Sequence, residues 1–213
     1  MKPSIIFFDY GNVICTDPTA KLRDYLAQKF QLEPKVVGSI LSEECGFLDS
    51  DVISEETFWK RVIKRAGYAG NPAEFETTIQ DIYYPNIAPD QRVLHVVEKV
   101  KNTGIRTGIL SNTSKRLGNY CRNNQHYAGF EPVILSFELG IRKPEPLIFY
   151  YALEAAGIPA NDASTAGFVD DKQPNLEAAR ACGLRAVHFD ISTSSQPDKD
   201  LEAILCSERL LIS

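Results

Sequence analysis

Four short segments of the chain carry side chains whose types and order could do chemistry. Asp9 lies in FFDYGNVI, Ser111 in GILSNTS, Lys143 in GIRKPEP and the pair Asp170-Asp171 in GFVDDKQPN. A carboxylate can act as a nucleophile, a hydroxyl and an ammonium can bind an anion, and adjacent carboxylates suit a hard divalent cation. Each feature alone is weak, because an Asp after a strand usually caps a helix or forms a turn. The combination of all four indicates one catalytic site.

The elements that must position these side chains can be predicted from apolar runs. Five short, buried parallel strands are predicted at 5–8, 105–110, 132–135, 166–169 and 186–189. Three of the helices between them are predicted at 93–100, 147–156 and 176–181, each ending before a glycine. This alternation predicts an α/β fold, a Rossmann-like, doubly wound parallel sheet with helices on both faces. Ligands bind at the carboxyl ends of such strands, where the four segments lie.

Residues 17–86 interrupt the alternation of strands and helices. Ser54 and the Asn71-Pro72 pair are typical helix starts, and no convincing strand occurs in this stretch. We therefore expect two domains. Residues 1–16 and 87–213 form the α/β core, and residues 17–86 form a small helical cap domain inserted after the first strand.

Composition limits the partners and the compartment. A formal net charge of −5 opposes binding to nucleic acid, and no apolar run approaches the roughly 20 residues that cross a bilayer. The five cysteines are widely spaced without a C-x-x-C pair, so we expect reduced thiols. The first residues lead directly into a predicted strand and leave no room for a signal peptide. We expect a cytoplasmic monomer or homodimer that binds neither nucleic acid nor membrane.

The four segments, in this order, resemble the four motifs of the haloacid dehalogenase superfamily, most of whose members are phosphatases. The resemblance extends from Ile5 to Phe189, and the helical insert falls where that family places a cap. FFDYGNVI, SNTS, RKPEP and VDDKQPN are most similar to the branch that contains glucose-1-phosphate phosphatases. The resemblance implies a Mg²⁺-dependent phosphatase of small phosphorylated metabolites, with sugar phosphates such as glucose 1-phosphate among the expected substrates.

The resemblance also implies a role for each acidic residue. Asp9 is the expected nucleophile, which carries a transient aspartyl-phosphate. Mg²⁺ is expected on the other oxygen of Asp9, the backbone carbonyl of Gly11 and Asp171, with Asp170 bound directly or through water. Such a cation neutralises the charge of the phosphate oxygens, without which two anions would repel each other.

The remaining expected site residues bind the phosphate. Lys143 is expected to be a catalytic cation that counters Asp9 and a phosphate oxygen. Ser111 is the third expected catalytic residue and is expected to donate its hydroxyl to the phosphate, helped by the backbone N–H groups of Asn112 and Thr113 at the start of a helix. Ser111, Asn112 and Lys143 are therefore the predicted substrate-binding residues.

Gly11 departs from the pattern of the family. Most phosphatases of the family have a second aspartate two residues after the nucleophile, which protonates the leaving oxygen and later activates water. A positioned acid and base contributes about 10²–10⁴ in rate. The substrate could have a good leaving group, such as the anomeric oxygen of a sugar 1-phosphate, or the cap could supply the acid. Acidic residues of the cap that could reach inward are Glu43, Glu44, Asp49 and Asp51.

Two other functions stay open at this point. A 2-haloacid dehalogenase uses the same nucleophile without a metal, so Asp9 could displace halide from carbon. A noncatalytic protein could bind phosphorylated metabolites with the same site. The pair Asp170-Asp171 favours the phosphatase, because adjacent carboxylates facing Asp9 are electrostatically costly unless a cation binds there.

Overall fold

A computed structural model describes residues 2–211 and shows one parallel sheet of five strands. The strands are β1 (Ile5–Phe8), β2 (Arg106–Ser111), β3 (Val133–Leu135), β4 (Ala166–Asp170) and β5 (Arg185–His188). Their spatial order is β3-β2-β1-β4-β5. The predicted α/β fold and all five strands are confirmed, with boundaries that differ by one residue at several ends.

The central strand β1 explains why the sheet is covered on both faces. All four of its residues are fully buried, and successive side chains of a strand point to opposite faces. Ile6 and Phe8 belong to one hydrophobic cluster, whereas Ile5 and Phe7 belong to another. A strand that is apolar at every position therefore requires helices on both sides of the sheet.

Ten α-helices connect and cover these strands within residues 2–211. They are α1 (Thr19–Phe30), α2 (Pro34–Asp49), α3 (Glu55–Arg65), α4 (Thr78–Tyr83), α5 (Gln91–Asn102), α6 (Lys115–Asn123), α7 (Ser136–Leu139), α8 (Pro146–Ala155), α9 (Gln173–Ala181) and α10 (Pro197–Ser207). Helices α5 and α10 contribute to the cluster of Ile6 and Phe8, and α8 and α9 to that of Ile5 and Phe7. Across the described residues, none of the helices is both long and apolar enough to cross a membrane.

Helices α1 to α4 lie between β1 and α5 in the chain and share a third hydrophobic cluster. Trp59 and Phe75 stack at 5.2 Å between ring centroids, and Leu26 and Val37 are buried in the same cluster. Ser54 accepts a hydrogen bond from the N–H of Thr57, as its predicted role at the start of α3 requires. This segment therefore has an apolar interior of its own, which is consistent with the expected helical insert.

We predict that the same substitution at two glycines changes stability in opposite directions. Gly108 pairs with Phe7 in the sheet, and a Cβ there would lie 2.8 Å from the Phe7 ring and 2.9 Å from the carbonyl oxygen of Pro132. Gly108→Ala should lower the free energy of unfolding by about 1–3 kcal/mol through overpacking. Gly38→Ala in α2 should raise it by about 0.5–1 kcal/mol, because a Cβ there meets only Arg23 Cδ at 3.5 Å.

Urea denaturation of both variants with linear extrapolation measures these changes. A Gly108→Ala protein as stable as the wild type would contradict the close approach between β2, Phe7 and Pro132.

Candidate active site

The register of the sheet brings two acidic residues together at its carboxyl edge. Phe8 of β1 pairs with Val169 of β4, so the next residues of the two strands, Asp9 and Asp170, become neighbours. The N–H of Asp9 donates to the carbonyl of Val169 at 2.8 Å and extends this alignment by one residue. The position of both carboxylates therefore follows from strand pairing.

Lys143 joins these two carboxylates from a third segment. Its Nζ lies 2.9 Å from Asp9 Oδ1 and 2.7 Å from Asp170 Oδ2. The Lys143 side chain is only 1% exposed, and Asp170 is fully buried. A buried ammonium between two carboxylates is stabilising only with good geometry on both sides, and these distances provide it. The predicted convergence of Asp9, Lys143 and Asp170 is thus present.

Asp170 has further hydrogen bonds that occupy its carboxylate. Asn175 Nδ2 lies 3.0 Å from both carboxylate oxygens, and the N–H of Lys172 donates to Oδ1 at 2.7 Å. Together with Lys143, these donors occupy the roughly four acceptor positions that a carboxylate offers. Asp170 is therefore placed to hold Lys143, and it has little capacity left for a metal ion.

Burial and charge shift the pKa values of these groups. Burial raises the pKa of Asp9 to about 6, although the Lys143 ammonium opposes the shift. Burial alone would lower the pKa of Lys143, but the carboxylates of Asp170 and Asp9 outweigh it and raise the pKa above its ordinary value. Lys143 is therefore a permanent cation at neutral pH, and it keeps Asp9 more readily ionised than burial alone would allow.

Asp9 and Asp171 belong to a cluster of carboxylates in which their oxygens could bind a metal ion. Carboxylate oxygens of Asp9, Asp170 and Asp171 lie within 4.8 Å of one another. Asp171 Oδ1 is buried and has no hydrogen-bond partner among residues 2–211, whereas Oδ2 accepts from Asn12 Nδ2 at 3.2 Å. An unpaired buried carboxylate oxygen is costly, and a hard cation with oxygen ligands would satisfy it. Burial also raises the pKa of Asp171.

The loop after β2 leaves Ser111 available to a ligand, as predicted, but the helix that follows starts later than predicted. Ser111 is the last residue of β2, is buried, and its hydroxyl makes no hydrogen bond to any described residue, so it remains available to a ligand. Helix α6 begins at Lys115, later in the chain than predicted, because Ser114 is its N-cap. The N–H of Thr113 donates to Ser136 Oγ at 2.9 Å and is therefore already occupied.

The side chain of Asn112 performs a task that the sequence did not reveal. Its Nδ2 donates to the carbonyl of Lys143 at 2.9 Å, and its Oδ1 accepts from the N–H of Lys143 at 2.9 Å. This pair of bonds fixes the backbone that carries the buried ammonium. Asn112 was predicted to bind substrate through its backbone N–H, and its side chain is a positioning group for Lys143.

Asn12 and Asn175 are further site residues that sequence reasoning missed. Asn12 has a φ of 58° and connects two loops, since its Oδ1 accepts from the N–H of Asp17 at 2.9 Å while its Nδ2 donates to Asp171. Asparagine tolerates this left-handed conformation better than most residues. The available signals were weak, namely an amide three residues after Asp9 and another five residues after Asp170.

A cavity of about 540 Å³ opens beside these residues. Its walls include Gly11 and Ser111 from the strand ends and Asp49 and Tyr83 from the helical insert. Asp9 is 6% exposed, and the three residues that follow it in the chain, Tyr10 to Asn12, line the cavity. A cavity of this size suits a small metabolite rather than a polymer.

The fold and the position of the site are those of an α/β enzyme with its ligand site at the carboxyl edge of a parallel sheet. The chain belongs to the haloacid dehalogenase-like hydrolase family, whose sequence model matches residues 3–183. The matched residues cover strands β1 to β4, the insert and all four motif segments. The predicted superfamily is therefore confirmed, whereas the glucose-1-phosphate phosphatase branch stays a prediction.

Individual relatives resemble the chain more distantly. A phosphoserine phosphatase from Thermus thermophilus is 41% identical over 61 residues, which are 29% of this chain and about a quarter (24%) of that enzyme's length. A crystal structure of a HAD family enzyme from Bacteroides thetaiotaomicron, in complex with magnesium and inorganic phosphate, has a TM-score of 0.64 at 18% identity and covers 91% of this chain and 97% of that chain. An L-2-haloacid dehalogenase structure has a TM-score of 0.63 at 14% identity, covering 87% and 86%. The two structural likenesses show the fold alone.

We predict that Lys143→Met destabilises the protein more strongly at high pH. Without the Lys143 ammonium, Asp9 loses the positive charge that most strongly opposes its burial, so its folded-state pKa rises further above that of the unfolded chain. The folded state then binds more protons than the unfolded state, and stability is lost as pH rises through the raised pKa of Asp9. We expect a loss of about 3–5 kcal/mol at pH 8 and a clearly smaller loss at pH 5.

Urea denaturation in EDTA at both pH values measures this difference. Lys115→Met is the matched control, because Lys115 is 64% exposed and lies 3.8 Å from Asp51. Its effect should stay within about 0.5 kcal/mol at either pH. An equal loss for Lys143→Met at pH 5 and pH 8 would show that the buried carboxylates do not depend on the ammonium.

Proposed function

We propose that the protein is a Mg²⁺-dependent phosphatase of small phosphorylated metabolites, with Asp9 as the nucleophile. The observation that carries the proposal is the arrangement of Asp9 beside the Lys143 ammonium and the unpaired carboxylate oxygen of Asp171. This arrangement provides a nucleophile, a fixed positive charge and a cation site at one point. Phosphoryl transfer requires little more than positioning and charge stabilisation of this kind.

The carboxylate oxygens that accept no hydrogen bond within the described chain indicate which residues would hold the metal ion. Asp9 Oδ1 accepts from Lys143 and from the N–H of Tyr10 at 2.7 Å, whereas Oδ2 has no donor within the described chain. Asp9 Oδ2 and Asp171 Oδ1 are therefore the carboxylate ligands that we propose, with the carbonyl of Gly11 as a third ligand and Asp170 in the supporting role. When bound, Mg²⁺ would neutralise the charge that otherwise keeps a phosphate away from Asp9.

The residues of the chain then have distinct tasks. Asp9 attacks phosphorus and becomes an aspartyl-phosphate, and water attacking the same phosphorus atom later restores the carboxylate. Lys143 holds one Asp9 oxygen in place and lies close enough to counter the charge of a phosphate oxygen. Ser111 donates its free hydroxyl to the phosphate from the end of β2.

Residues 17–86 are proposed to act as the cap domain over this site. The insert contributes Asp17, Leu41, Asp49 and Tyr83 to the cavity, so it would select the substrate beyond the phosphate. A cap that closes would also exclude water while Asp9 is phosphorylated. Sugar phosphates such as glucose 1-phosphate are the substrates that we propose to test first, and phosphoserine is included because of the Thermus thermophilus relative.

A metal-free dehalogenase is the alternative that one observation favours, since Gly11 lacks the second carboxylate of typical phosphatases. The unpaired Asp171 oxygen supports the phosphatase instead, because displacement of halide without a metal does not need it. Halide release in EDTA from a 2-haloacid would support the dehalogenase.

We predict that phosphate release requires Asp9 and depends on Mg²⁺ through Asp171. Asp9→Asn should lower turnover by about 10³-fold or more, because the amide is not a nucleophile. Asp171→Asn should raise the Mg²⁺ concentration for half-maximal rate by at least about tenfold, since it removes a charged ligand. The assay is phosphate release from glucose 1-phosphate, glucose 6-phosphate, phosphoserine and p-nitrophenyl phosphate, with Mg²⁺ or EDTA.

Asp24→Asn is the control for these substitutions. Asp24 lies on α1, its side chain is 60% exposed, and its ion pair with Arg23 is on the surface. This variant should keep the activity of the wild type. Phosphate release that persists in Asp9→Asn would rule out the proposed nucleophile, and full activity in EDTA would rule out the metal.

A further inference from the structure

Gly11 has no acidic side chain of its own, but the carboxylate of Asp17 lies close to it. A Cβ built on Gly11 would lie 3.5 Å from Asp17 Oδ2, so a side chain at position 11 would point at Asp17. Position 11 carries the proton-transferring aspartate in most phosphatases of the family. Any replacement for that acid must come from residues that share the cavity, and Asp17 and Asp49 are the two acidic residues of the insert that line it.

Asp17 is already engaged in the structure of its loop. Its Oδ1 accepts from the N–H of Thr19 at 2.8 Å and from the Thr19 hydroxyl at 2.7 Å. The Thr19 hydroxyl also lies 2.7 Å from the hydroxyl of Tyr83. These bonds are those of a turn that leads into α1, and they hold the carboxylate as an acceptor.

Asp49 is placed differently, on the face of α2 that borders the cavity. It is the last residue of α2, and Ser42 and Cys45 precede it at helical spacing on the same face. All three line the cavity. The Asp49 carboxyl makes no hydrogen bond to a described residue, so it remains available to a ligand.

One hydroxyl fixes the end of α2 against the core. Ser136 Oγ donates to the carbonyl of Asp49 at 2.6 Å and accepts from the N–H of Thr113 at 2.9 Å. Thr113 lies two residues after Ser111, in the loop that leaves β2. The backbone of Asp49 is thereby held beside the loop that would bind phosphate.

Charge and burial together set the protonation of Asp49. The titratable groups that act on it or that it affects are Asp9, Asp17, Cys45, Tyr83, Arg142 and Lys172. Burial raises the pKa of Asp49 to about 7, and the positive charges of Arg142 and Lys172 only partly oppose it. The carboxylates of Asp17 and Asp9 raise it further. An acid near pH 7 can both give and take a proton at neutral pH.

We propose that Asp49 is the catalytic proton donor of this protein and takes the role of the aspartate that most phosphatases of the family have at the position of Gly11. The inference rests on the proposed phosphatase function. As the bond between phosphorus and the leaving oxygen breaks, the Asp49 carboxyl gives its proton to that oxygen, and a neutral alcohol leaves. Asp49 is then a carboxylate, and it takes the proton of the water that attacks the aspartyl-phosphate. The products are inorganic phosphate, ionised Asp9 and protonated Asp49.

The test compares leaving groups that differ in their need for a proton. Asp49→Asn, Asp17→Asn and Asp51→Asn are assayed with p-nitrophenyl phosphate and with whichever alkyl phosphate the wild type hydrolyses fastest, among glucose 6-phosphate, glycerol 3-phosphate and phosphoserine. Asp51 is the matched control, because it lies two residues from Asp49 with a side chain that is 46% exposed. Thermal unfolding of each variant verifies that it is folded.

Asp49→Asn should lower kcat/KM for the alkyl phosphate by about 10²-fold or more, and for p-nitrophenyl phosphate by less than about tenfold. The nitrophenolate leaves without a proton, so only the alkyl substrate needs the acid. Asp51→Asn should change neither value by more than a few-fold. Asp17→Asn alters an acceptor of the turn before α1, so any loss that it causes should be about equal for the two substrates. A loss confined to the alkyl phosphate in Asp17→Asn in place of Asp49→Asn, or equal losses on both substrates in Asp49→Asn, would overturn the proposal.

The pH profile provides a second readout that a purely structural role would not change. For the alkyl phosphate, kcat/KM of the wild type should fall as pH rises above about 7, because Asp49 must be protonated. This fall of kcat/KM at high pH should be absent in Asp49→Asn. The same fall in the variant as in the wild type would contradict the role of Asp49. A wild type that releases phosphate from p-nitrophenyl phosphate but from none of the alkyl phosphates would also overturn the role of Asp49. A wild type that releases phosphate from no substrate would instead overturn the proposed phosphatase function.

Discussion

The ion triad of Lys143, Asp9 and Asp170 is the interaction on which the rest of the site depends. A lysine that is 1% exposed can keep its charge only beside carboxylates, and buried carboxylates can keep theirs only beside a cation. The two carboxylates therefore keep Lys143 charged, and Lys143 favours the ionised form of Asp9. The surrounding amides act on this triad, since Asn175 binds Asp170 and Asn112 binds the backbone of Lys143.

The parallel sheet supplies the geometry that the triad needs. Asp9 and Asp170 become neighbours because β1 and β4 pair in register, and Ser111 arrives from β2 on the other side of β1. Strand pairing rather than a long loop fixes the positions of these three residues, so the carboxyl edge of the sheet is preorganised. The helical insert adds the outer wall of the cavity. Recognition of the phosphate would thus belong to the core, and that of the remaining substrate to the insert.

Much of this arrangement could be predicted from the sequence, because strand ends are visible as apolar runs and the reactive side chains follow them directly. The five strands and the convergence of Asp9, Lys143 and Asp170 are examples. Asn12 and Asn175 could not be predicted, since amides near turns are common and only the fold shows what they bind. Asp49 was one of four equivalent candidates in the insert. Its position depends on the packing of α2 and on Ser136, which lies 87 residues further along the chain.

The central claim is that Asp9 carries the phosphoryl group during turnover. The direct measurement is mass spectrometry of protein quenched in acid while it hydrolyses p-nitrophenyl phosphate with Mg²⁺. Our account predicts a phosphoryl group on the peptide that contains Asp9, absent when EDTA replaces Mg²⁺. Continued turnover with a phosphoryl group on another residue, or with none on the protein, would contradict the account.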